Sequence, residues 1–141
     1  MKQSLILMSL LFTTILFGQN PYDTLWKQVQ KLESDGLTQS ALKEVSKIEA
    51  LADKEKNTPQ QIKSLLYKSK YTLILEEDAQ LSIVSTFTAQ INKASFPEKN
   101  ILQNLLANLY WQYFQENRYK FYNRTNTSER NNEDFRTWDL Q

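Results

Sequence analysis

The chain has 141 residues, with 17 basic, 16 acidic and neither histidine nor cysteine. That length is about one domain with a modest core, and a net charge of +1 gives no field to attract nucleic acid or an anionic membrane. The missing histidine and cysteine remove the commonest general base, disulfide staples and most zinc chemistry, so neither a metal nor a cofactor is expected.

Residues 1–18, MKQSLILMSLLFTTILFG, hold one positive charge at Lys2, then an apolar run from Leu5 to Phe17 that ends at a small residue, Gly18. These are the three regions of a secretory signal peptide. The run is shorter than the roughly twenty residues that span a bilayer as a helix. Cleavage after Gly18 leaves Gln19 first and a mature chain with balanced charge. The expectation is export to the periplasm or cell surface, with no membrane contact beyond the signal peptide.

Residues 19–123 read as a helical domain. Asp23 or Thr24 can cap a first helix carrying Leu25, Trp26, Val29 and Leu32 at three- and four-residue steps. Gly36 closes it. Thr38 caps a second helix with Leu42, Val45, Ile48, Leu51 and Ala52 on one stripe. Thr58 as cap and Pro59 as first residue open a third, whose stripe is Ile62, Leu65, Leu66, Ser69, Leu73 and Ile74. After Glu76, Glu77 and Asp78, a fourth helix carries Leu81, Ile83, Val84, Phe87 and Ile91. Pro97 opens a fifth that runs to about Asn117. Only two glycines occur and nothing alternates with period two, so the fold class is all-α.

Pro59 and Pro97 stand 38 residues apart, as do Ala41 and Ala79, each alanine near a helix start. Two helices per unit with an alanine at the crossing is the logic of helical repeats, whose periods run near 34–47 residues. The architecture expected is antiparallel helix pairs in a short solenoid like that of tetratricopeptide repeats. A five-helix bundle is the alternative. Residues 124–141 read as an extended linker or the start of a following domain.

The stretch LYWQYFQENRYKFYNR, Leu109 to Arg124, holds seven of the seventeen aromatic residues. Leu102, Leu105, Leu106, Leu109 and Tyr113 form one apolar helical face, widened by Tyr110 and Phe114, so Leu109 to Phe114 are expected in the core. Further on, Tyr119, Phe121 and Tyr122 alternate with Arg118, Lys120 and Arg124. Such alternation can stack bases or sugars, but with little excess charge an interface is the preferred reading. Phe135 and Trp138 join Tyr119, Phe121 and Tyr122 as candidate interface residues, since nothing downstream is available for them to pack into.

Catalytic constellations are missing. Glu76, Glu77 and Asp78 are consecutive in a turn, where side chains diverge, so they read as a solvated helix-capping cluster and not as paired catalytic carboxylates. There is no glycine-rich phosphate loop and no nucleophile elbow. The chain is expected not to be an enzyme. NRT at Asn123 and NTS at Asn126 match the N-glycosylation pattern, which has weight only in a host that uses it.

The signal ending in FGQN, then YDTLWKQVQKLESDGLTQSALKEV, IKSLLYKSKY, LEED, FPEKNILQNLLANLYWQYFQENRYKFYNRT and NEDFRTWDL together resemble the extreme N-terminus of large exported alpha-2-macroglobulin-family proteins of Bacteroidetes. The resemblance spans essentially the whole chain. It implies a leader and a non-catalytic helical segment ahead of a series of macroglobulin domains in a family of protease traps, some with an internal cysteine–glutamine thioester. No cysteine is present here, so that chemistry has no place in this segment and no functional residue carries over. The implied partners are following domains of the same protein or another envelope protein. A free-standing exported helical-repeat protein that binds a peptide, glycan or envelope protein is the alternative.

Overall fold

The computed structural model describes residues 20–124 and 134–138. The signal peptide expected at 1–18, the glycosylation match at Asn126 and most of 124–141 lie outside those residues. The order of elements is α1 (Pro21–Ser34), α2 (Thr38–Glu55), α3 (Thr58–Leu75), α4 (Ala79–Lys93), α5 (Glu98–Tyr122) and a 3-10 turn (Phe135–Thr137). The fold is all-α, and no strand occurs among the described residues. Packed helix pairs of this kind are shared by bundles and short solenoids. The chain divides into two compact units, one ending at Leu75 and the other beginning at Glu76.

In the first unit the helix bounds follow from local chemistry. Asn20, not Asp23 or Thr24, caps α1: its Oδ1 accepts the Tyr22 N–H at 3.1 Å, and Pro21 takes the first helical position, where a missing N–H costs nothing. Gly36 (φ +73°) ends α1 as expected. The Leu37 N–H reaches the Leu32 carbonyl at 2.8 Å and the Gly36 N–H reaches that of Glu33 at 3.0 Å, the paired bonds of a left-handed C-terminal cap. The same pattern ends α2: Asn57 N–H donates to Ala52 at 2.9 Å and Lys56 N–H to Asp53 at 3.3 Å, with Lys56 at φ +53°. Thr38 and Thr58 are first helical residues, not caps. Leu37 precedes Thr38 without a side-chain bond, whereas the Asn57 Oδ1 accepts the Gln60 N–H at 3.4 Å.

Three long-range bonds fix the direction of the helices. The Tyr22 phenol, at the start of α1, donates to Glu55 Oε2 at the end of α2 at 2.7 Å. Trp26 Nε1 donates to Gln60 Oε1 near the start of α3, also at 2.7 Å, and Tyr71 Oη donates to Glu33 Oε2 at 2.8 Å. So α1 and α3 run parallel and α2 runs against both. The core joins Tyr22, Trp26 and Val29 of α1 to Ala41, Val45, Ile48 and Ala52 of α2 and Tyr71 of α3. Each fully buried aliphatic side chain here contributes roughly 1.5–3 kcal/mol.

The face expected for α3 is corrected. Ser64, Leu65, Ser69 and Tyr71 are its buried residues, while Leu66, Leu73 and Ile74 are exposed. Apolar residues lie all round this helix, so its sequence does not choose a side. The aromatic seam with α1 does: the Trp26 and Tyr67 ring centroids lie 4.8 Å apart.

In the second unit α4 buries Ala79, Ile83, Phe87 and Ile91. Ala79, like Ala41, is fully buried near a helix start, as the 38-residue spacing implies. The four-residue link Ala94–Pro97 turns the chain back into α5, which makes the pair antiparallel. Leu102 alone of the expected α5 leucines is buried; Leu105, Leu106 and Leu109 are half-buried. Among the described residues α4 is the one helix packed closely along α5, and a single neighbour covers only part of so broad an apolar face. Non-helical dihedrals at Asn117 (φ −116°, ψ 17°) kink α5 where the sequence reading placed its end. The Asn117 Nδ2 donates to the Tyr113 carbonyl at 3.0 Å, a side-chain bond that competes with the helical ladder.

Candidate functional site

The second unit gathers the aromatic residues into one surface. Beyond the kink, Phe121 is buried, with its ring 5.4 Å from Phe114 and 6.2 Å edge-on from Tyr113. Phe135 is also buried, with its ring 5.0 Å from Tyr110 and 4.9 Å from Tyr113, edge to face in both cases. Trp138 stacks on Tyr110 at 5.7 Å. These offset and edge-on arrangements match the attraction between positive ring edges and negative ring faces.

Of the five candidate interface residues, the structure thus brings Phe121, Phe135 and Trp138 into one cluster. Tyr122 reaches its edge, 6.4 Å from Phe114. Tyr119 stands apart, 62% exposed, under the Lys120 ammonium at 5.8 Å. The expectation that Phe135 and Trp138 have nothing to pack into is overturned, because Tyr110 and Tyr113 receive them. The expectation that Leu109 to Phe114 are core is overturned too. Trp111 is 60% exposed, and Tyr110, Tyr113 and Phe114 are half-buried. An apolar groove of about 470 Å³ runs between Trp111, Phe114, Phe121 and Trp138.

A polar clasp holds the 134–138 strap in place. Arg124, just past α5, donates from Nη1 to the carbonyls of Arg136 at 2.8 Å and Trp138 at 3.0 Å. The Arg136 guanidinium grips Asp134 through Nε and Nη2, both at 3.0 Å, and reaches Asp78 Oδ1 at 2.7 Å. Asp134 Oδ1 also accepts the Arg136 N–H at 2.9 Å and so caps the 3-10 turn. The hydrogen bonds from Arg136 hold the Asp134 carboxyl below the usual carboxylate range. Bonds to Asp134 and then Asp78 push Arg136 further up, and burial pushes the Tyr110 phenol up. The helix-capping role expected for Asp78 is corrected, because its side chain makes no cap bond to the backbone of α4.

Sequence reasoning missed Arg124, Arg136 and Asp78 as partners. The Asp134–Arg136 half of the clasp was readable, since an aspartate two residues ahead of a backbone N–H is a common turn former. The Asp78 half, 58 residues away, leaves no local trace.

The first unit has a second polar–aromatic surface along the α1–α3 seam. Lys63 Nζ sits 4.1 Å above the Trp26 ring centroid, close enough for a cation–π attraction, and Lys70 pairs with Glu33. Among the described residues no group of three or more carboxylates that could hold a metal ion occurs, and no helix is long and apolar enough to cross a membrane. No protein-family model, curated protein or solved structure matches this chain.

Proposed function

We propose that this chain is a non-catalytic helical interaction segment, exported to the periplasm or cell surface after loss of residues 1–18. In this reading it packs against following domains of an alpha-2-macroglobulin-like protein or against another envelope protein. The observation that supports it is the aromatic surface of the second unit, where Trp111, Tyr119, Tyr122 and Trp138 remain 42–67% exposed. Rings of that size left in water beside an apolar groove favour burial against a partner. The interface set is Tyr119, Phe121, Tyr122, Phe135 and Trp138, with Phe121 and Phe135 shaping the groove from below.

Hydrogen exchange tests this. In the protein extracted from cell envelopes, amides from Tyr110 to Tyr122 should exchange more slowly than in the isolated 19–141 segment. Equal exchange in the two preparations would remove the packing role and favour the second reading, a free-standing exported helical-repeat protein. The parallel setting of α1 and α3 around α2, shared with helical repeats, supports that alternative.

A further inference from the structure

We infer that the second unit carries a binding cleft for neutral carbohydrate, formed by α4, α5 and the 134–138 strap. A cleft of about 780 Å³ opens between them, within the roughly 300–1,000 Å³ usual for small-molecule sites. It shares Tyr110, Phe135 and Trp138 with the apolar groove and differs from it in taking its other wall from α4.

The lining divides by chemistry. One wall is aromatic: Trp138 lies nearly parallel to Tyr110, at an interplanar angle of 28°, and is 42% exposed. The α4 wall carries a polar stripe among the apolar Leu81, Val84 and Ala89: Ser85 and Asn92 stand seven residues apart, two helical turns on one face, and both line the cleft. Asp134 closes the rim. A pyranose ring matches this division, because its C–H face is apolar and flat while its edge carries hydroxyls that need donors and acceptors. The aromatic wall suits the face. The Asn92 amide and the Ser85 hydroxyl suit the edge.

Other ligand classes fit less well. Among the described residues no basic residue lines the cleft, and the Arg136 guanidinium is committed to Asp134 and Asp78, so they offer an anion no counter-charge. A cation finds Asp134 already neutralised. A wholly apolar ligand would strip water from Asp134 and Asn92 without replacing its hydrogen bonds, which is unfavourable.

The test is a titration of the mature protein with cellotetraose, chitotriose, maltotriose and mannotriose, read by tryptophan fluorescence and by the Asn92 side-chain amide resonance. At least one sugar should give a saturable change in both signals. Asn92→Ala, on the exposed side of α4, should weaken that binding by about tenfold or more, the scale of one lost hydrogen bond in a site. Trp138→Phe should keep most of it and Trp138→Ala should abolish it. No saturable response to any of the four sugars overturns the proposal. So does binding that Asn92→Ala and Trp138→Ala leave unchanged. Circular dichroism of each variant separates a lost site from a lost fold.

Discussion

Tyr71 donates its phenolic hydrogen to the Glu33 carboxylate at 2.8 Å, across 38 residues of sequence. Glu33 also receives Lys70, so one acidic side chain near the end of α1 ties down the last turns of α3. Hydrogen bonds from Lys70 and then Tyr71 hold the Glu33 carboxyl below its usual 4.5. Burial, then Glu33, pushes the Tyr71 phenol above its usual 10. Burial and the bond to Glu55 push Tyr22 up to about 12.

These shifts set the two pH limits of the first unit. A carboxyl with a lowered folded pKa binds fewer protons folded than unfolded, so its contribution is complete above about pH 4.5 and is lost as pH falls through the folded value. A phenol with a raised pKa contributes fully below pH 10 and loses that contribution as pH rises, for Tyr22 up to about pH 12. Glu33→Gln should flatten the acid limb of stability against pH, and Tyr22→Phe the alkaline limb. Urea midpoints across the pH range check both, and unchanged limbs would refute the assignment.

Two helix ends share one cap geometry with different residues. Gly36→Ala meets no atom within 4 Å, so its cost is that of the left-handed backbone alone, about 1 kcal/mol. Lys56→Gly should do the reverse and stabilise by about 0.5–1 kcal/mol. Thermal melts of the two variants should therefore move in opposite directions.

Ser64 is fully buried, and its Oγ has no hydrogen-bond partner among the described residues. An unsatisfied buried hydroxyl costs about 1–3 kcal/mol, so Ser64→Ala should be neutral or stabilising. Ser69→Ala is the control, because the Ser69 hydroxyl donates to the Leu65 carbonyl at 2.8 Å. Denaturant unfolding in which Ser64→Ala proves the more damaging of the two would show that Ser64 Oγ has a partner.

Within the second unit, Leu102→Ala should cost about 2–5 kcal/mol as the emptying of a buried leucine site. Leu105→Ala, only half-buried, should cost clearly less. Equal losses would mean that the α5 face is turned differently against α4.

Arg124→Ala removes the donor to two strap carbonyls. Amide exchange at Arg136 to Trp138 should accelerate and Trp138 emission should shift to the red, while α1 to α3 stay unchanged. A strap that keeps its protection would show that ring packing and the Arg136–Asp78 pair hold it without Arg124.

The helix bounds were largely legible because Gly36, Thr58–Pro59 and Pro97 carry their own backbone preferences. Caps shifted by a residue or more where a neighbouring asparagine, Asn20 or Asn57, offered a better acceptor than the threonine or aspartate chosen. The faces of α3 and α5 were not legible. Both helices are apolar on several sides, and only packing decides which side is used. For α5 the single close neighbour α4 covers only part of the apolar face and leaves Trp111 outside. The strap was illegible for another reason: its position depends on Asp78 and Arg124, which no local pattern links to Phe135 or Trp138.

Among the described residues the hydrogen bonds that join α1, α2 and α3 close over short spans, from Gln61–Asp53 at 8 residues to Glu33–Tyr71 at 38. Contacts so close in sequence demand little loop-closure entropy and belong to topologies that fold within microseconds to milliseconds. Among the described residues that core is drawn from α1, α2 and α3 alone. A chain emerging at several residues per second would therefore settle this unit while its later residues are still being delivered, and the aromatic surface of the second unit would form only after the first unit has folded.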